Sequence, residues 1–488
     1  MILPPSLPAK PSFLNADVSE AQLPPKPRTG KARAKGVERK DEPEGIWHTP
    51  WMDALPMTKY ENKEQRLHDE IVAFIQYVQP TSEETSAREK VVKRLTDLIQ
   101  RRFADCEVKI FGSVAQGLSL PGGDVDITIR TTQVHGDHHR TKCLFQLSRI
   151  LRDSSFSDKP FVVANAKVPI LMFETRRPLG QMKFDININA DDGCSMIPLI
   201  KTYLDTMPAL RPLLLLVKAF LARRGLNSAA ASGLGSYAST LLIISFLQLR
   251  PGDRPKEAYD SPMESESLGL LMMDFMEYYA DKFPYETSYI SVVHGQLLPK
   301  ASKGWLREKQ PDALSIESIV DTGKDVGRAC GKIGQIRTAF REASATLKAY
   351  PLSVETGSIL GSIVGISDLT IEYRKRTSAL IQSGDLDRAI ADVTLPPSWN
   401  DPPPLRHNPR DGRPPRDTYQ RDRYPPPSSG RRREDYPPRD RYRSYPDNRS
   451  YPDMAPQFRQ QPYVNDHRPH SDYQHYSHQP YRRPHCPW

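Results

Sequence analysis

Apolar positions repeat at two different spacings along this chain, and the changes between them divide it. Leu67, Ile71, Phe74 and Ile75 recur at helical spacing, as do Val91, Val92, Leu95, Leu98 and Ile99. This predicts two amphipathic helices, the first over Lys63 to Val78. The period then shortens, predicting strands at about 107–111, 124–130, 161–165, 168–174 and 181–188, with one helix at 140–152 among them. From Ser195 to Leu249 the pattern is helical, broken at Gly225 and Gly233, and further helices are predicted near 267–281, 324–348 and 367–382. The chain therefore reads as α+β, a mixed sheet with helices followed by a mostly helical block.

Neither end carries such a pattern. Residues 1–45 are rich in Pro, Lys and Arg, and after Pro397 there are about 19 Pro, 10 Tyr and 17 Arg but only two residues from Leu, Ile and Val. Such segments bury too little apolar surface to offset ordering entropy and are expected to be disordered. The basic run Lys26 to Lys40 reads either as a nuclear localisation signal or as a solubilising linker. Trp47, Pro50 and Trp51 either pack on the folded core or anchor a partner. The Arg and Tyr of the tail either grip RNA phosphates and stack on unpaired bases or form a spacer.

Charge and cysteine usage narrow the classes. The formal net charge of +9 sits mostly in the tails, with about +6 after residue 400 and about +2 before residue 46, so the middle is nearly balanced. An electrostatic hold on any polyanion such as a nucleic acid is expected from the tails or from a partner. Cysteines at 106, 143, 194, 330 and 486 show no paired spacing, which argues against a zinc site or a disulfide framework and fits a reducing compartment. No apolar run approaches a membrane span, and prolines interrupt the first 20 residues where an export signal needs an apolar core.

The chemistry concentrates in FGSVAQGLSLPGGDVDITI, Phe111 to Ile129. On a strand, Asp124 and Asp126 share a face while Val125 points inward. Upstream, Gly112 lets backbone N–H groups approach a triphosphate and Ser113 adds a hydroxyl. An Asp-x-Asp pair alone is commonly a solvated strand face. In MKFDINI, however, Phe184, Ile186 and Ile188 alternate with Lys183, Asp185 and Asn187, which puts a third acid on the polar face of a neighbouring strand. Three carboxylates so arranged suit two divalent ions, Mg²⁺ or Mn²⁺, about 3.5–4 Å apart.

With these motifs the chain resembles the DNA polymerase β-like nucleotidyltransferases, and among them the nuclear template-independent poly(A) polymerases of the TRAMP-complex type. The resemblance runs from about Glu61 to Gly384 and continues in LLLLVKAFLARRGLNSAAASGLGSYASTLLIISFL (Leu213 to Leu247) and VDTGKDVGRACGKIGQIRTAF (Val320 to Phe340). It implies a palm plus a helical poly(A)-polymerase-associated domain. The expected divisions are 1–45 disordered, 46–104 leading segment and helices on the core, 105–195 catalytic, 196–385 helical and 386–488 disordered, with the first helix joining the helical domain.

The resemblance further implies that Asp124, Asp126 and Asp185 hold the metal ions, that Lys218 contacts phosphates, and that Ser236 and Tyr237 touch the triphosphate and stack on the base. Asp325 and Arg328 fall in the base-recognition loop, with nucleotide bound in the cleft between the domains. Read from the residues alone, Lys218 is otherwise a snorkelling lysine, Tyr237 a core aromatic, and Asp325 with Arg328 a surface ion pair. Two departures stand out. Lys324 replaces the usual Asn of the base loop, exchanging an amide for a donor-only cation, and Gly123 stands where relatives commonly carry Ser.

The implied activity is addition of adenylates from ATP to RNA 3′ ends. The implied setting is the nucleus, with a zinc-knuckle RNA-binding protein, an RNA helicase and, indirectly, the exosome, and no membrane. A terminal uridylyltransferase is the near alternative, distinguished in relatives by a histidine in the base loop, and none lies between Val320 and Arg328. A degenerate scaffold is the other, although such members usually lose a metal acid and all three are present here.

Overall fold

The computed structural model describes residues 46–55, 60, 62–190, 192–351 and 357–395. The expected disorder of 1–45 and of the Arg/Tyr-rich tail, the basic run and the tail's RNA-binding reading lie outside these residues.

In chain order the elements are β1 (Trp47–His48), α1 (Lys63–Val78), α2 (Ser82–Arg102), β2 (Glu107–Phe111), α3 (Gly112–Ala115), β3 (Val125–Arg130), α4 (Gly136–Asp153), β4 (Phe161–Val163), β5 (Ile170–Glu174) and β6 (Lys183–Ile188). There follow α5 (Asp192–Thr206), α6 (Leu210–Ala222), α7 (Ser236–Leu249), α8 (Lys256–Asp260), α9 (Leu268–Glu277), β7 (Ser288–Ser291), β8 (Gln296–Pro299), α10 (Ile333–Ala349), β9 (Ile366–Ser367), α11 (Asp368–Gln382) and α12 (Asp385–Asp392).

Two apolar cores organise them. The first is built around a five-stranded sheet of order β2-β3-β6-β5-β4, in which only β3 and β6 run parallel. Alternation buries Val125, Ile127 and Ile129 of β3 with Phe184, Ile186 and Ile188 of β6 against Leu95 and Ile99 of α2 and Leu144 and Leu147 of α4. The second core is helical. It gathers Leu67, Ile71 and Phe74 of α1 with the apolar faces of α6, α7, α9 and α10. The chain changes cores between α1 and α2, across Gln79, Pro80 and Thr81. There α2 opens with a capping box in which Thr81 Oγ1 accepts from the Glu84 amide and Glu84 accepts from the Thr81 amide.

Trp51 is fully buried, edge-on to Phe74 at 5.2 Å, and β1 pairs antiparallel with β9. The aromatic cluster thus packs on the core. The expected helix over 324–348 is corrected: the chain makes a short 3₁₀ turn at Val326–Ala329 and becomes α-helical only from Ile333. Gly327 lies so close to Leu314 that an added Cβ would stand 2.6 Å from its carbonyl oxygen, and Gly331 follows, so neither glycine favours a continuous helix. The hairpin β7–β8 was not anticipated. A tail starting at 386 is also corrected, because α12 runs to Asp392 and buries Leu386 and Val393 in the sheet core.

Candidate active site

The acids meet where β3 and β6 run side by side. Parallel register sets Asp126 opposite Asp185, and the antiparallel partner of Asp126 across β2 is Phe111. Asp124 stands one residue before the strand begins. Burial, then the neighbouring charges of Asp185 and Asp124, push the Asp126 carboxyl up to about 7, opposed by Lys218. Such crowding of acids is what a divalent cation relieves, and carboxylate oxygens are its preferred donors. Among the described residues no three His, Cys, Asp or Glu side chains converge closely enough to enclose a metal ion. Three carboxylates repel one another, and closing them together requires a cation to offset that repulsion. The donor set fits Mg²⁺ or Mn²⁺ in chemistry and register, with Asp126 and Asp185 register partners and Asp124 two residues before Asp126.

Gly112 opens the single turn α3 directly after β2. Its φ of +65° is unfavourable for other residues, and a Cβ there would lie 2.2 Å from Asp126 Oδ2. Glycine is required by the acid itself, a reason the phosphate argument alone did not give. Ser113 follows in the same turn, partly buried, and its carbonyl anchors the returning loop by accepting from the Leu118 amide at 2.8 Å. At Gly123 the space of a side chain is already taken, since a Cβ would stand 2.9 Å from Ser119 Oγ.

From the helical core, α6 reaches this loop. Lys218 Nζ donates to Leu118 O at 2.6 Å and Arg211, two turns earlier, donates to Gly117 O at 2.6 Å. Burial lowers Lys218 to about 8, opposed by the Asp126 charge. An ammonium carries three donors, and Leu118 takes one of them. Lys218 thus lies close enough to Asp126 for their charges to interact. Arg211 was missed because exposed arginines in a helix give no signal until a carbonyl is found beside them.

Ser236 is the exposed first residue of α7, whose N-cap Gly235 has no side chain to cap the first amides. Uncapped amides at a helix start are suited to phosphate oxygens. Beside it, the Tyr237 hydroxyl accepts from the Ile319 amide at 3.1 Å and shares a 3.2 Å hydrogen bond with Ser318 Oγ. Tyr237 therefore joins α7 to the 318–328 loop.

The loop acid is not in an ion pair with Arg328. Asp325 accepts from the Ile316 amide at 3.0 Å and from Arg307 at 2.9 Å, with its side chain only 5% exposed. It braces the loop, while Arg328 is exposed and makes no hydrogen bond or ion pair among the described residues. Beneath the loop, buried Lys300 donates to the carbonyls of Tyr285 and Ala313, and buried Glu317 accepts from Lys303 at 3.0 Å. Lys324 lies 3.5 Å from Asp321 on the exposed side. The structure thus brings Asp126, Asp185, Gly112 and Lys218 together and ties Tyr237 to the base loop.

Comparison with known proteins agrees with this arrangement. Residues 67–205 match the central palm domain of mitochondrial-like poly(A) RNA polymerases, and residues 267–319 match the Cid1 family poly A polymerase domain. The polymerase core of TRAMP, an RNA surveillance complex, superposes with a TM-score of 0.58 at 27% identity, covering 64% of this chain and 98% of that one. This chain belongs to the polymerase β-like nucleotidyltransferases. Among them it resembles the TRAMP-type poly(A) polymerases. Poly(A) RNA polymerase CID14 of Cryptococcus neoformans is 30% identical over 405 residues, covering 78% of this chain and 50% of the relative. Poly(A) RNA polymerase cid14 of Schizosaccharomyces pombe is 30% identical over 347 residues, covering 67% and 48%. The nucleotidyltransferase spans about half the length of these relatives. The fold is also that of the Cid1 poly(U) polymerase, at 22% identity and a TM-score of 0.50, covering 61% of this chain and 98% of that one. No helix among the described residues is long and apolar enough to cross a membrane.

Proposed function

We propose that this nucleotidyltransferase adds adenylates to RNA 3′ ends without a template, using ATP and two divalent ions. The observation that carries the reading is the register pairing of Asp126 with Asp185 beside the Gly112–Ser113 turn, with Lys218 opposite. Divalent ions held by Asp124, Asp126 and Asp185 would activate the 3′-hydroxyl and offset triphosphate charge.

The chain's own groups do the rest. Ser113 and the uncapped start of α7 at Ser236 offer donors to phosphate oxygens, and Lys218 supplies a positive charge on the helical side of the cleft. Tyr237 offers a ring face to the base while its hydroxyl fixes the loop that bounds the base site. The relatives named poly(A) RNA polymerases support adenylate as the unit added. Likeness to the TRAMP polymerase core, from an RNA surveillance complex, supports a role in RNA surveillance, and the sequence resemblance adds the expectation of a nuclear setting with a zinc-knuckle RNA-binding protein and a helicase.

Incubating the full chain with labelled RNA, Mg²⁺ and each nucleoside triphosphate separately tests this. A ladder with ATP alone is expected. Extension with UTP in preference to ATP would make it a uridylyltransferase, and no extension with any nucleotide would leave a scaffold.

A further inference from the structure

The joint between the two cores is closed by one side chain from far along the sequence. Arg374 of α11 donates Nε to Glu84 Oε1 at 3.0 Å and Nη2 to Glu84 Oε2 at 2.9 Å, a bidentate pair. The same guanidinium donates to the carbonyls of Tyr77 and Gln79 and lies 4.9 Å from the centre of the Tyr77 ring. Tyr77 and Gln79 end α1, which belongs to the helical core, and Glu84 lies in the first turn of α2, which belongs to the sheet core. Only Gln79, Pro80 and Thr81 connect them. The pair is well buried, with side chains 13% and 5% exposed.

The preceding residue, Tyr373, stands beside the acid-bearing loop. A Cβ on Gly122 would stand 3.6 Å from Tyr373 Cδ1, so the ring faces this glycine, two residues before Asp124, across a gap that a methyl group would fill. Tyr373 also lines a cleft bounded by Gly122, Gly123 and Val125. The loop is therefore flanked from two directions, hydrogen-bonded by Arg211 and Lys218 of α6 at Gly117 and Leu118 and faced by Tyr373 of α11 at Gly122. Its position relative to Lys218 matters because misplacement by about 1 Å can cost on the order of 100-fold in rate.

We propose that Tyr373 and Arg374 are positioning residues for nucleotidyl transfer: α11 fixes the acid loop 119–124 against the helical domain across the joint at 79–81. This rests on the nucleotidyl-transfer reading above. The ring acts by contact, so Tyr373→Phe keeps the function and Tyr373→Leu loses it. Because removing one charge of a buried pair exposes the fold to the other, the pair is tested as the double variant Glu84→Gln/Arg374→Met, in which the glutamine can still accept from Thr81.

The full-length variants are compared in single-turnover RNA extension with ATP and Mg²⁺, in equilibrium ATP binding, and by hydrogen exchange resolved by peptide. Tyr373→Leu is expected to extend about tenfold more slowly with ATP affinity nearly unchanged. Exchange should quicken in peptides covering 117–124 and not in those from α4 or α9. The double variant should add faster exchange at 79–84. Wild-type rate with unchanged local exchange in Tyr373→Leu would overturn the proposal, as would exchange that rises evenly across the sheet domain. If the wild-type chain extends no RNA, the functional reading falls by itself, and the local exchange still decides whether α11 holds the loop.

Discussion

Replacing Gly112 by alanine separates backbone strain from damage to the acid site. With φ at +65°, an alanine there costs about 1–2 kcal/mol of stability simply by occupying the left-handed region. Its Cβ would also stand 2.2 Å from Asp126 Oδ2 and 2.9 Å from Asp126 Cγ, where ordinary contact begins near 3.4 Å. The carboxylate must therefore move by roughly 1 Å, and a shift of that size at a reacting centre is worth on the order of 100-fold in rate. That is about 2.7 kcal/mol of transition-state stabilisation. Gly304→Ala supplies the control, since Gly304 has the same φ of +65° and nothing within 4 Å of an added Cβ. Denaturant unfolding should show both variants destabilised by a similar amount, about 1–2 kcal/mol. Steady-state adenylate addition should show kcat falling about two orders of magnitude in Gly112→Ala alone, with Gly304→Ala near wild type. A Gly112→Ala protein with wild-type kcat, or an equal loss in both, would refute the argument that Asp126 requires a glycine at this position.

Other outcomes follow from single contacts. Tyr237→Phe removes the hydroxyl that binds Ser318 and the Ile319 amide, so KM for ATP should rise about fivefold with kcat less affected, from the loss of about 1 kcal/mol of hydrogen bonding. Hydrogen bonds from Lys282 and Lys348 pull Glu277 down to about 2 from 4.5, so the stability it contributes is present above about pH 4.5 and lost as pH falls towards 2. Unfolding of Glu277→Gln should depend less on pH across that window, by no more than about 1 kcal/mol because solvent screens the partly exposed pair. Deleting residues 401–488, which hold about 17 Arg against 11 acids, should weaken RNA binding and flatten its salt dependence while leaving the rate at saturating RNA unchanged. Equal affinities with parallel slopes across a salt series would make the tail a spacer.

What the sequence revealed was what depends on local period. The strands around Val125, Ile127 and Ile129 and around Phe184, Ile186 and Ile188 were legible because one face of each is buried and the other is not. Asp126 and Asp185 stood out as acids on the open face, and Lys218 as a lysine inside an apolar helix. The misreadings were non-local. Asp325 and Arg328 are three apart, which suggested a helical pair, but Arg307 and the Ile316 amide claim the carboxylate. The hairpin of β7 and β8 pairs locally, Ser291 with Gln296, and was missed, whereas α12 hid behind Gly384 because the sheet core that buries Leu386 lies far away along the chain. Arg211 and Arg374 drew no reading from the sequence, because their acceptors are backbone carbonyls or a carboxylate 94 to 297 residues away.

These long-range cations have a common logic. The sheet core carries the acids and the helical elements carry Lys218, Ser236 and Tyr237, so on the proposed reading neither core alone would contain a complete site. The chain crosses between the cores at 79–81, again between β6 and α5 and once more in α11, and side chains bridge them as well. Arginine suits that task, because its fork can hold a carboxylate and carbonyls together without losing its charge on partial burial. Lys218 combines both demands, bridging to Leu118 while sitting opposite Asp126, and its lowered pKa reflects the burial this requires. Substitutions at the bridges that leave no buried charge unpaired, such as Glu84→Gln/Arg374→Met, should therefore reduce rate before they reduce stability. Those in either core, such as Phe184 or Phe340, should do the reverse, because each core is closed by its own apolar contacts.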